Sequence, residues 1–134
     1  MRGMFCVALV GVGVLALATP IAAHHSFAAE FDGNQFVTVR GTVAKMEWVN
    51  PHSWIYVDTK DADGKVSQWQ FELGSPNALF RAGWRKDSLP PGTEIVVRGY
   101  RAKSGLQRAN GRDVTLPDGK ELFGVGSTPG DKKP

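Results

Sequence analysis

The chain has 134 residues, 16 Lys and Arg against 13 Asp and Glu, a formal charge of +3 and a single cysteine. That length fits one domain and excludes a doubly wound nucleotide-binding domain joined to a substrate domain. The charge is too small to argue for a nucleic-acid surface, and an apolar share of 42% with 10% aromatics excludes wholesale disorder.

The first 23 residues read as an export signal. Arg2 is the only charge before Glu30, Met4 to Ala18 is an unbroken apolar and small-residue run, and Thr19-Pro20 interrupts it before Ile21-Ala22-Ala23. A charged start, an apolar middle and a small-residue cleavage zone are the pattern of a cleaved signal peptide, and Pro20 with the alanines favours cleavage over a retained anchor. Cys6 lies early in the apolar run, away from the cleavage point, so it is no lipid-attachment cysteine. The expected product is a periplasmic or secreted domain over 24–126 with no stable membrane anchor, no cysteine and a flexible tail, 127–134.

Residues 24–34 form a short polar-aromatic lead-in. From Gln35 to Trp48 the chain is rich in β-branched residues, with Val37, Val39, Gly41 and Val43 on one face. This alternation predicts a half-buried strand, with a bulge or bend at Gly41. Asn50-Pro51 turns the chain into a second strand, Ser53 to Asp58. Asp61 to Gly64 makes a hairpin turn, and Lys65 to Leu73 is a third strand whose apolar face is Trp69, Phe71 and Leu73. Ser75 caps a short helix that starts at Pro76 and stops at Gly83, with Leu79 and Phe80 expected to face the core. Thr93 to Arg101 is the fourth strand, Ser104 to Arg112 reads as a mobile loop, and Asp113 to Leu116 with Glu121 to Val125 makes a final hairpin. Three strands, one short helix and two or three further strands predict an all-β fold, a small OB-like antiparallel β-barrel.

No catalytic constellation stands out. Residues 24–134 have no cysteine nucleophile, no phosphate-cradling glycine loop and no H-E-x-x-H. The three histidines carry the chemistry that is present. Cleavage after Ala23 leaves His24 with a free α-amino group, which can close a chelate ring on a metal with its own imidazole. An imidazole of His25 or His52 then completes a planar nitrogen set suited to Cu(II) or Ni(II). Cleavage after Ala22 places His24 second and His25 third, where amine, amide nitrogens and imidazole again form a planar site. His24, His25 and His52 are thus candidate metal ligands, copper is the candidate cofactor, and Glu30 and Asp32 are candidate outer acceptors for a ligating imidazole. The bland reading is that paired terminal histidines bind added copper in almost any peptide. A terminal-histidine oxidase is a weaker idea, since no residue beyond the histidines suggests substrate activation.

Trp48 and Trp54 flank the Asn50-Pro51-His52 turn. Trp48, Asn50 and Trp54 either hold that turn or rim a groove for an organic ligand or an exported partner protein. Trp69, alternating with Phe71 and Leu73, is expected in the core. The sequence therefore points to binding rather than catalysis, with a metal ion, a small ligand or another exported protein as the partner, and no nucleic acid.

His24-His-Ser-Phe-Ala-Ala-Glu-Phe-Asp32, Gly41-Thr-Val43 and Trp48-Val-Asn-Pro-His52 together resemble a bacterial exported domain-of-unknown-function family. Its members read A-H-H-S-F-A-x-E-[FY]-D after the signal peptide, then a G-x-V strand, then W-x-N-P-H. The resemblance extends over Trp69 to Leu73, Ser75-Pro76, Gly83-Trp84 and the Gly92 to Gly99 strand, nearly all of 23–125. It implies an extracytoplasmic location and a small β-barrel, and it implies no activity. The metal reading rests on the chemistry of the histidines alone.

Overall fold

The computed structural model describes residues 27–124. The expected signal segment 1–23, His24, His25 and the expected tail 127–134 lie outside the described residues. In chain order the elements are α1 (Phe27–Glu30), β1 (Phe31–Glu47), β2 (Trp54–Lys60), β3 (Val66–Glu72), α2 (Pro76–Arg81), β4 (Glu94–Ala102), β5 (Arg108–Thr115) and β6 (Glu121–Phe123). Among the described residues no helix is long and apolar enough to cross a membrane.

The fold is all-β, as the alternation predicts. The sheet order is β3-β2-β1-β4-β5-β6, and β3 also pairs with β5. That extra pairing closes a hydrogen-bonded ring of five strands, β1-β2-β3-β5-β4, with β6 as a hairpin partner of β5. The pairs are antiparallel except the closing one, where Gln70, Phe71 and Glu72 run parallel to Arg108, Ala109 and Asn110. The inward face of every ring strand feeds one core: Val39 and Val43, Ile55 and Val57, Phe71, Ile95 and Val97, Ala109 and Val114.

α2 and the segment after it fill this core from between β3 and β4. Ser75 accepts from the Ala78 N–H at 3.3 Å and Pro76 occupies the first turn, as the capping pattern predicts. Leu79 is fully buried. Phe80 is not: it is 56% exposed with the Arg85 guanidinium 4.3 Å above its ring. The inward place expected for Phe80 is taken by Trp84, fully buried with its indole N–H donating to the Phe123 carbonyl at 2.8 Å. A six-residue helix has room for one inward side chain per turn.

Three further expectations are corrected. The first strand starts before Gln35, since β1 begins at Phe31, paired with Ala102, and Phe27–Glu30 ahead of it is a second short helix. The bulge falls at Ala44, where the β1–β2 register shifts between Val43 and Lys45. Gly41 instead marks a close approach, because a Cβ there would press on the Asp58 carbonyl oxygen and come within 2.7 Å of Val57 Cγ1. The segment expected as a mobile loop, Ser104 to Arg112, contains the first half of β5, held by β4 on one side and β3 on the other. Polar and glycine-bearing composition signals a loop only when no neighbouring strand satisfies its backbone.

Gly41→Ala should therefore cost about 1–3 kcal/mol, the usual cost of overpacking a tight contact. Urea denaturation followed by tryptophan fluorescence measures it, and an unchanged midpoint would show that the strands can part without loss.

Candidate functional site

The site is built around the β1–β2 turn. Trp48 leaves β1 half-buried and packs against the core. Asn50 and Pro51, joined by a cis peptide bond, are exposed. Ser53 returns the chain to the sheet: its N–H donates to Gly74 O at 3.0 Å, and its carbonyl accepts from Leu73 N–H at 2.8 Å. His52 is held between this anchor and the exposed turn, and its ring turns toward β3.

His52 Nδ1 lies 3.0 Å from Glu72 Oε1. Glu72 is the last residue of β3 and only 6% exposed. A carboxylate taken out of water needs a charged or donating partner, and the imidazole Nδ1–H is such a partner. The contact also fixes the ring, since a proton held on Nδ1 makes Nε2 the nitrogen with a lone pair.

Register brings further groups beside this pair. Glu72 stands opposite Trp54 of β2 on one side and Asn110 of β5 on the other. Directly opposed residues share a face, so Trp54, Glu72 and Asn110 all lie on the outside of the ring. Trp54 is half-buried, with the Arg108 guanidinium 5.2 Å from its ring centroid. Arg108 in turn donates from Nη2 to Gln70 Oε1 at 3.1 Å. Trp48 and Trp54 thus part company: the first turns to the core, the second to the outer face. Trp69, expected in the core, packs at its rim, stacked on Phe71 at 5.9 Å with Arg101 5.7 Å from its ring.

The same outer face carries a polar group one step along β2. Tyr56 donates to Glu47 at 3.1 Å, and Lys45 reaches the other Glu47 oxygen at 2.7 Å. The Lys45 hydrogen bond, with Tyr56 second, holds the Glu47 carboxyl below the ordinary carboxylate range. Burial, with the Glu47 contact second, holds the Tyr56 hydroxyl above its ordinary value. Lys45→Met should move the Glu47 pKa upward, toward that of a free glutamate. An NMR titration of the side-chain carboxyl reads this, and an unmoved value would mean that Tyr56 alone sets it.

Of the sequence-predicted ligands, the structure describes His52 alone. Among the described residues no group of three or more His, Cys, Asp and Glu side chains is arranged to hold a metal. Of the candidate outer acceptors, Asp32 accepts from the Asn34 backbone N–H at 2.9 Å and Glu30 closes α1. The imidazole's carboxylate partner is Glu72, which the sequence reading placed on the polar face of its strand without a role. The signal for Glu72 is present in the alternation of Gln68, Gln70 and Glu72, but the strand that meets that face, and with it Arg108, is not legible from spacing.

No curated protein matches the chain. Residues 11–111 match the model of a family of unknown function (DUF6152), and the chain belongs to that family.

Proposed function

We propose that the chain is an exported, periplasmic or secreted, binding protein that takes a divalent metal such as Cu(II) through His24, His25 and His52. The observation that carries this reading is the His52–Glu72 contact of 3.0 Å. Metal-binding histidines characteristically give their second nitrogen to a carboxylate, which fixes the tautomer and raises the basicity of the ligating one. Here that assigns Nε2 of His52 to the metal. The donor set is nitrogen and oxygen: residues 24–134 hold no cysteine, and their only methionine, Met46, packs against the core. Such a set favours Cu(II) over Cu(I). A chain starting at His24 adds its terminal amine.

A second reading has its own observation. Trp54, with Arg108 over its ring and Gln70 beside it, lies on the β2–β3 face, where OB folds bind ligands. That surface suits an organic ligand or an exported partner protein.

Cu(II) titration of protein exported and processed by a bacterial host, untagged at its N-terminus, separates the two. His52→Ala should weaken binding and change the Cu(II) spectrum. Glu72→Gln should weaken it about 10–100-fold, as loss of an outer-shell partner does. If His52→Ala leaves affinity and spectrum unchanged, the metal sits on a bare terminal peptide and the Trp54–Arg108 face becomes the working site.

A further inference from the structure

A pocket of about 210 Å³ opens where α1, the start of β1 and the β4–β5 connection meet. Phe31 of β1 and Ala102 of β4 are direct register partners, both nearly buried, and with Ala29 of α1 they make its apolar lining. Lys103 and Ser104 follow β4 directly, and Arg108 is the first residue of β5. Lys103 also ties down the helical wall. Its Nζ donates to the Ala28 carbonyl at 2.6 Å, and its backbone N–H donates to the Glu30 carbonyl at 2.9 Å. His52 is not among the lining residues, so the pocket is separate from the site built on it.

The charge of the lining is unbalanced. Two cations, Lys103 and Arg108, share it with one carboxylate, Glu30. Both cations have neutral partners only. Lys103 holds a backbone carbonyl, and Arg108 donates from Nη2 to the amide oxygen of Gln70 at 3.1 Å. The Arg108 Nε is buried without a hydrogen-bond partner. Arg98, by contrast, meets both oxygens of Asp113. A charged donor shielded from water and left unpaired is costly, and an anion nearby offsets that cost. Ser104 adds a neutral donor: its Oγ accepts from the Leu106 N–H at 3.4 Å, which leaves the hydroxyl proton to give.

We propose that this pocket binds a small organic carboxylate, with Lys103, Ser104 and Arg108 as its donors and Ala29, Phe31 and Ala102 against its apolar body. A cavity of about 150 Å³ admits benzene, so a pocket somewhat larger suits a carboxylate on a body of that size. One carboxylate neutralises the excess of two cations over Glu30. A guanidinium also matches the planar, two-oxygen shape of a carboxylate. Inorganic phosphate has no apolar part to bury against Phe31 and Ala102. The inference goes beyond the metal reading and needs no histidine.

The test titrates benzoate into protein exported and processed by a bacterial host and follows backbone amide shifts by NMR. Benzamide, similar in shape but neutral, and inorganic phosphate are titrated alongside. Benzoate should give saturable shifts at Ala29, Phe31, Lys103, Ser104 and Arg108. Benzamide should bind at least about 10-fold more weakly, and Arg108→Gln should weaken benzoate by about 10-fold or more. Ala29→Leu, at an exposed position of α1, fills the pocket without removing a charge and should also block benzoate; it serves if Arg108→Gln unfolds. Absence of saturable shifts at these amides, equal affinity for benzoate and benzamide, or unchanged benzoate affinity in a folded Arg108→Gln protein overturns the proposal. Shifts confined to Trp54 and Gln70 overturn the pocket and leave the second reading above standing. Binding of phosphate in place of benzoate overturns the carboxylate assignment.

Discussion

Three residue pairs, Gln70–Arg108, Phe71–Ala109 and Glu72–Asn110, close the ring, and the geometry of the candidate site depends on them. The pairing is short and parallel, the slightly weaker form of strand pairing. It is reinforced at both ends: Gln70 N–H donates to Gln107 O at 3.0 Å, and Gly74 N–H donates to Gly124 O at 2.8 Å. The Arg108–Gln70 side-chain bond adds a staple on the outer face. Without this closure Glu72 would end an edge strand with solvent on one side. With it, the carboxylate is flanked by Trp54 and Asn110, and its approach to His52 becomes a buried contact.

The ring holds two buried carboxylates, and they are partnered in different ways. Asp113 is 4% exposed and takes a forked pair of bonds from Arg98, at 2.7 and 3.0 Å. A guanidinium keeps its charge at every physiological pH and binds both oxygens, so this pair serves as a fixed structural tie between β4 and β5. Glu72, equally buried, faces an imidazole instead. An imidazole is a weaker permanent partner, but its second nitrogen can bind a proton or a metal. A chain that needed only to neutralise Glu72 had the arginine solution available one strand away.

Much of this architecture was legible in the sequence because it is local. Ser75 and Pro76 announce α2, and the alternation through Trp69, Phe71 and Leu73 announces the inward face of β3. What escaped was set by partners distant in the chain. Arg108 to Arg112 reads as loop by composition, yet β4 and β3 satisfy its backbone from both sides. Gly41 signals irregularity correctly, but whether a glycine bends a strand or admits a neighbour depends on what crosses it, here Asp58 and Val57. Phe80 and Trp84 compete for one inward place, and periodicity cannot rank them. For the site, His52 stood out by rarity and position. Its partner, 20 residues on, became visible only once the β2–β3 register set Glu72 against Trp54.

The outer surface of the ring changes character at one seam. Over β1 and β4 it is aromatic, with Phe36 and Tyr100 edge-to-face at 5.1 Å and Phe27 added from α1. Over β2, β3 and the start of β5 polar groups surround Trp54: Tyr56, Gln70, Glu72, Arg108 and Asn110. The Tyr100–Asn110 pair is where the two meet. A four-residue helix is not stable alone, and α1 is held on the aromatic side by Phe27 against Tyr100 and by the Lys103 bonds to the Ala28 and Glu30 carbonyls. Phe27 packs over Tyr100 itself, so the helix docks directly beside the seam.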